Sequence, residues 1–236
     1  MQQGFRPGAA VALASFLCAA DLATAQDWSG FYAGGSAGFA TDRFDFPYGV
    51  KLPGQFLSGD STITSRGPLA GIQAGYNYGF ADGIVAGVEL DASWSDISGA
   101  STVHGGDTSV RFATRQLDFA TARIRGGYAL GRFLPYATLG LTLATAQTAF
   151  AVKMPPALAL SGGSTATRSG IFPHVGVVGL GIEYRLTSKL SLKGEYLYDF
   201  VNARYAMYDP APGTEVDFGT RQMYHLARLG LNWKLD

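Results

Sequence analysis

The 236 residues carry 18 Lys+Arg against 18 Asp+Glu, for zero formal charge, and 13% are aromatic. A neutral chain of this length fits one domain and lacks the basic excess on which nucleic-acid binding draws. Glycine, at 32 residues, is about twice its usual share, yet no collagen-like period or low-complexity tract accompanies it, which suits closely packed strands.

Residues 1 to 25 are expected to be a signal peptide. Arg6 and the amino terminus make a positive start, Ala9 to Ala20 is almost wholly apolar, and Ala23-Thr24-Ala25 is a small-x-small cleavage site. The apolar run is short for a spanning helix and is followed by Asp21, Thr24 and Gln26; a retained anchor is the alternative. The single cysteine, Cys18, lies inside this segment, so a mature chain starting at Gln26 has no thiol and no disulfide.

From there apolar residues recur at every second position, the period of a strand with two unlike faces. The alternation predicts eight strands, at about 29 to 41, 68 to 80, 84 to 97, 113 to 130, 134 to 150, 171 to 186, 190 to 205 and 221 to 235. In the second, Ala70, Ile72, Ala74, Tyr76, Tyr78 and Phe80 share one face while Gly71, Gln73, Gly75, Asn77 and Gly79 share the other. Short turns are expected at Asp82-Gly83, Gly131-Arg132 and Thr187-Ser188-Lys189. The other four links, around 42 to 67, 98 to 112, 151 to 170 and 206 to 220, are rich in Gly, Ser, Thr, Asp and Pro and read as long loops. Phe133 to Val152 is uncharged over nearly the length of a membrane helix, but Ala137, Leu139, Leu141 and Leu143 alternate with Tyr136, Thr138, Gly140 and Thr142, so a strand is expected.

A soluble barrel hides its apolar face; here the opposite face carries the charges. With the apolar face turned to lipid, the enclosed positions include Glu89, Asp91, Arg123, Arg125, Glu183, Arg185, Lys193, Glu195 and Arg228, four acids against five bases at similar heights. An eight-stranded barrel is filled by its side chains, so these groups are expected to form a layer of ion pairs across the axis, with a water-lined lumen as the alternative. Aromatics crowd the predicted strand ends, as membrane-interface girdles do. Trp28, Phe31, Tyr78, Phe80, Tyr128, Phe133, Tyr184 and Trp233 fall at the periplasmic side, and Phe39, Trp94, Phe150, Phe172, Tyr205 and Tyr224 at the outer side. Short turns alternating with long loops complete the pattern of an all-β, eight-stranded antiparallel up-and-down transmembrane β-barrel of the outer membrane.

Particular residues resemble a known family. Asp27-Trp28-Ser29-Gly30-Phe31-Tyr32-Ala33-Gly34 with Ala37-Gly38-Phe39, then Gly71 to Asn77, Gly181-Ile182-Glu183-Tyr184, Lys193 to Tyr198 and the closing Ala227 to Leu235, are similar to the small outer-membrane β-barrels that include Omp25-like and OmpA-type, porin-like proteins. The chain ends Leu235-Asp236 where that family usually has a terminal aromatic. The resemblance implies a structural or envelope-stability role, sometimes with small-pore or ligand-binding activity, insertion by the barrel-assembly machinery and contact with outer-membrane lipids.

No catalytic set stands out. The three histidines, His104, His174 and His225, fall near the outer rim, and period-two parity places His174 and His225 with the lipid-facing set. Some members of the resembling family are haem binders, which leaves a haem or metal role as a minor alternative. His104 with Asp107 and Ser109 could be drawn as an acyl-chain site, but loops rich in Ser and Asp supply such sets freely. Gly34-Gly35 and Gly179-x-Gly181 lack a following helix to cradle phosphate and read as close-packing glycines. The expectation is a structural barrel, not an enzyme, with no cofactor and no nucleic-acid partner. Surface contact through the loops is a further expectation, and a narrow diffusion channel or small-ligand uptake barrel the alternative.

Overall fold

The computed structural model describes residues 28–52, 55–105, 108–153, 165–208 and 215–235. The expected signal peptide therefore lies outside the described residues, as does Asp107. Eight antiparallel strands close on themselves in chain order: β1 (Gly30–Leu52), β2 (Gln55–Gly79), β3 (Ile84–Gly105), β4 (Thr108–Tyr128), β5 (Phe133–Lys153), β6 (Thr165–Arg185), β7 (Leu190–Tyr208) and β8 (Glu215–Lys234). The segment from Phe133 is a strand, and no helix among the described residues is long and apolar enough to cross a membrane.

Three tight turns join β2 to β3, β4 to β5 and β6 to β7 at one end. Gly83 and Gly131 take φ of 93° and 61° there, a backbone shape that other residues adopt at a cost. The Thr187 hydroxyl accepts from the Leu190 amide at 3.0 Å and fixes the third turn.

The other end departs from the expected long loops. β1 and β2 run on as a ladder to Leu52↔Gln55, and β3 and β4 to Gly105↔Thr108. Strands of 19 to 25 residues are about twice what a tilted strand needs to cross hydrocarbon. Polar residues at 42 to 67 and 98 to 112 mimic loop composition because both faces of a ladder in water can be polar. Thr62, Ile63 and Thr64, and Thr102 and Val103, still favour extended backbone, and each rung added to a formed hairpin closes almost no new loop.

Between β6 and β7 the ladder runs only from Arg185↔Ser191 to Val177↔Asp199, although both strands continue toward the hairpin end paired to β5 and β8. Pro173 has no amide to donate, and Gly176 is the extra residue of a bulge against Gly140 and Leu141.

An apolar belt covers the outside. Phe31, Ile72, Val88, Leu90, Ile124, Leu139, Leu141, Leu180, Leu229 and Leu231 are all exposed, while the alternating residues on the same strands are enclosed. Phe31, Tyr78, Phe80, Tyr128 and Trp233 ring the turn end, and Phe39 and Trp94 the other. Two expected girdle members are instead inside. Trp28 donates its ring N–H to the Gly131 carbonyl, 3.4 Å away, and caps the turn end with Val85 and Leu134. Tyr224 packs edge-on against Phe119, with centroids 5.8 Å apart. Both have the inward parity of their strands; proximity to a strand end does not by itself turn a ring outward. The side chains of Phe150, Phe172 and Tyr205 lie outside the described ones.

Candidate functional site

Alternation sends every second residue into the lumen, and near mid-height all eight strands deliver a polar one. β3 brings Glu89 and Asp91, β4 Arg123 and Arg125, β6 Glu183, β7 Lys193 and Glu195, and β8 Arg228, none more than 5% exposed. Tyr32 from β1, Gln73 from β2 and Tyr136 from β5 are buried with them.

Glu89 is the hub. Its Oε1 accepts from Lys193 Nζ at 2.9 Å and from Arg123 Nη2; its Oε2 accepts from Lys193 at 3.0 Å and from the Tyr32 hydroxyl at 2.7 Å. Arg125 and Arg228 approach it at 3.6 and 3.7 Å. The Arg123 guanidinium also reaches Asp91 and Glu195, each at 2.9 Å. Arg228 crosses from the opposite wall, donating Nε to Glu195 at 2.8 Å and Nη1 to Asp91 at 3.1 Å. The Thr121 hydroxyl donates to Asp91 and the Tyr136 hydroxyl to Glu195, the latter at 3.2 Å.

A second group lies toward the turn end. Arg125 donates to Glu183 at 2.9 Å and to the Tyr32 hydroxyl at 3.0 Å, with its guanidinium 4.0 Å from the centre of the Tyr136 ring. Glu183 also accepts from Asn232 Nδ2 at 2.9 Å and from the Ser191 hydroxyl, and Asn232 in turn accepts from Gln73 at 2.7 Å. Four acids thus face four bases, so the layer is neutral, and each carboxylate has several donors, the condition under which buried charges are tolerated. Arg185, grouped with them by parity, stands apart: at the turn end its guanidinium lies 4.1 Å from the Trp28 ring centre.

Glycines make room for the largest inward groups. A Cβ at Gly75 would run into the Tyr32 ring, and one at Gly181 into that of Tyr136. Tyr32, Gln73, Thr121, Tyr136, Ser191 and Asn232 were not among the charged positions singled out from sequence. Their signal is parity, since each sits an even number of residues from an enclosed charge or small inward residue on its own strand.

Above the charges lies a second, apolar layer that charge patterning does not predict. Ala40, Leu69, Ile97, Phe119, Val177, Leu197, Tyr224 and Leu226 form one buried cluster inside the lumen. Two bulges flank it. Leu117 is extra in β4, so that Gln116 as well as Phe119 is buried; Gly176 is extra in β6, and it and Val177 are both buried. At the turn end a recess of about 30 Å³, room for a water or so, is lined by Trp28, Asn77, Glu183, Arg185 and Asn232.

The histidines do not converge on chemistry. His225 is exposed as parity requires, with the Tyr196 hydroxyl 2.5 Å from its Nδ1. The Gly176 bulge brings the His174 backbone into register with Thr142. The side chains of His104 and His174 lie outside the described ones. Among the described residues no three His, Cys, Asp or Glu side chains are grouped to hold a metal.

Comparison with known proteins gives a consistent family. Residues 9–223 match the model of the outer membrane protein beta-barrel domain. The chain is similar to the 31 kDa outer-membrane immunogenic protein of Brucella melitensis, at 32% identity over 213 residues, covering 88% of this chain and 83% of that one. The protein of that name from Brucella suis matches to the same extent. Among solved structures, the outer membrane protein OprG from Pseudomonas aeruginosa aligns at 17% identity with a TM-score of 0.49, covering 90% of this chain and all of that one.

Proposed function

Because this chain belongs to the outer-membrane β-barrel family and resides in the outer membrane, we propose that it is a structural barrel with a sealed lumen, serving envelope integrity rather than transport or catalysis. One observation carries the reading. The side chains of Glu89, Asp91, Arg123, Lys193, Glu195 and Arg228 are each at most 1% exposed, whereas groups lining an aqueous pore would be wetted along its length. The apolar cluster around Phe119 and Tyr224 adds a second barrier in series. The long hairpins stand clear of the hydrocarbon as a surface for contact outside the cell, in keeping with relatives named immunogenic.

Single-channel recording of the refolded chain in planar bilayers tests the seal. The expected trace is flat; reproducible steps whose size shifts in Glu89→Gln or Arg123→Gln variants would instead establish a narrow diffusion channel.

A further inference from the structure

The outward face of β1 and β2 just beyond the aromatic girdle carries a polar square. Arg43 pairs across the ladder with Thr64, and Thr41, two residues before it, pairs with Arg66. All four lie on the face that bears Phe39 and Ile72. The two arginines therefore occupy one diagonal and the two threonines the other, at the spacing where long side chains on neighbouring strands can meet over one ligand. The Arg43 side chain is 59% exposed, and its Nε is held by Asp45 at 3.2 Å, a carboxylate fixed in turn by the Thr62 hydroxyl at 2.7 Å. That leaves the terminal nitrogens of Arg43 to turn toward the square. Arg66 is exposed and has no ion-pair partner among the described residues. Arg221, opposite Asp45 on β8, adds a third guanidinium on the same outer face.

Height decides what can reach this square. Thr41 is the next outward residue after Phe39, which is 52% exposed, and at about 3.3 Å per residue Arg43 stands about 13 Å further along a tilted strand. The square sits at the headgroup level of the outer leaflet, facing lipid rather than lumen. Three guanidiniums beside Asp45, with Asp96 next to them on β3 taken up by Arg115, and two hydroxyls between, match a tetrahedral oxyanion: arginine forks bind phosphate oxygens in pairs, and the hydroxyls donate to the rest.

We propose that Thr41, Arg43, Thr64 and Arg66 form a binding site for the phosphate of an outer-leaflet glycolipid headgroup. The full chain in detergent micelles is titrated with bisphosphorylated lipid A and with the same lipid dephosphorylated, and bound lipid is read by native mass spectrometry. The wild type should prefer the phosphorylated lipid by about tenfold or more, and an R43Q/R66Q variant should lose that preference, two charge-assisted contacts being enough for such a change. An R115Q variant, whose arginine pairs with Asp96 on β3 and β4, should keep it. Equal binding of both lipids by the wild type, or an undiminished preference in R43Q/R66Q, overturns the proposal. So does displacement of the lipid by an equal concentration of inorganic phosphate, which would make the square a reader of the free ion. All variants are exposed, and heat-modifiable migration on gels checks that each is folded.

Discussion

Replacing Glu89 with Gln keeps shape and the Tyr32 contact but takes one negative charge from a neutral layer. Lys193, with no exposed surface, then loses a carboxylate at 2.9 Å and retains only Glu195, at 3.8 Å. With an effective dielectric near 20, the lost contact is worth about 6 kcal/mol and the remaining one about 4. Relief of the carboxylate's own desolvation offsets part of the loss, so the net cost should be about 3 to 5 kcal/mol. Removing both charges, as Glu89→Gln with Lys193→Met, leaves no uncompensated ion and should cost well under the sum of the two single changes. Urea titration of the barrel in lipid vesicles, followed by heat-modifiable gel migration, gives the folded fraction for all four proteins. A Glu89→Gln cost below about 1 kcal/mol, or single costs that simply add, would mean that the charges do not depend on one another.

Three further perturbations probe other layers. Gly181→Ala should destabilise by about 1 to 3 kcal/mol because its methyl enters the Tyr136 ring, and Tyr136→Leu in the same chain should recover part of it in the same titration. Phe119→Ala should leave a cavity costing about 3 to 5 kcal/mol, yet planar-bilayer recording should stay silent because the charge layer beneath it remains closed. Ile124→Arg, set between Val88 and Leu139 in the middle of the apolar belt, should cost about 2 to 4 kcal/mol, whereas Phe31→Arg at the girdle should cost under about 1; equal costs would place the hydrocarbon elsewhere.

Period-two alternation by itself determined the strand count and which face meets lipid, because a strand has only two sides and one of them here is uniformly apolar, and the short turns between strands implied their antiparallel order. It also marked the enclosed positions of Glu89, Asp91, Arg123, Arg125, Glu183, Lys193, Glu195 and Arg228, since parity is local. What parity cannot carry is partnership. That Arg228 meets Asp91, 137 residues away, follows from the stagger of eight strands around the axis, and stagger is a property of the closed sheet. The same closure decided that an apolar layer sits above the charges, with β4 and β6 bulged at Leu117 and Gly176 beside it. Polar composition read residues 42 to 67 as a loop because it records solvent exposure; only the cross-strand ladder, which fixes the backbone whatever its surroundings, shows that most of them are strand.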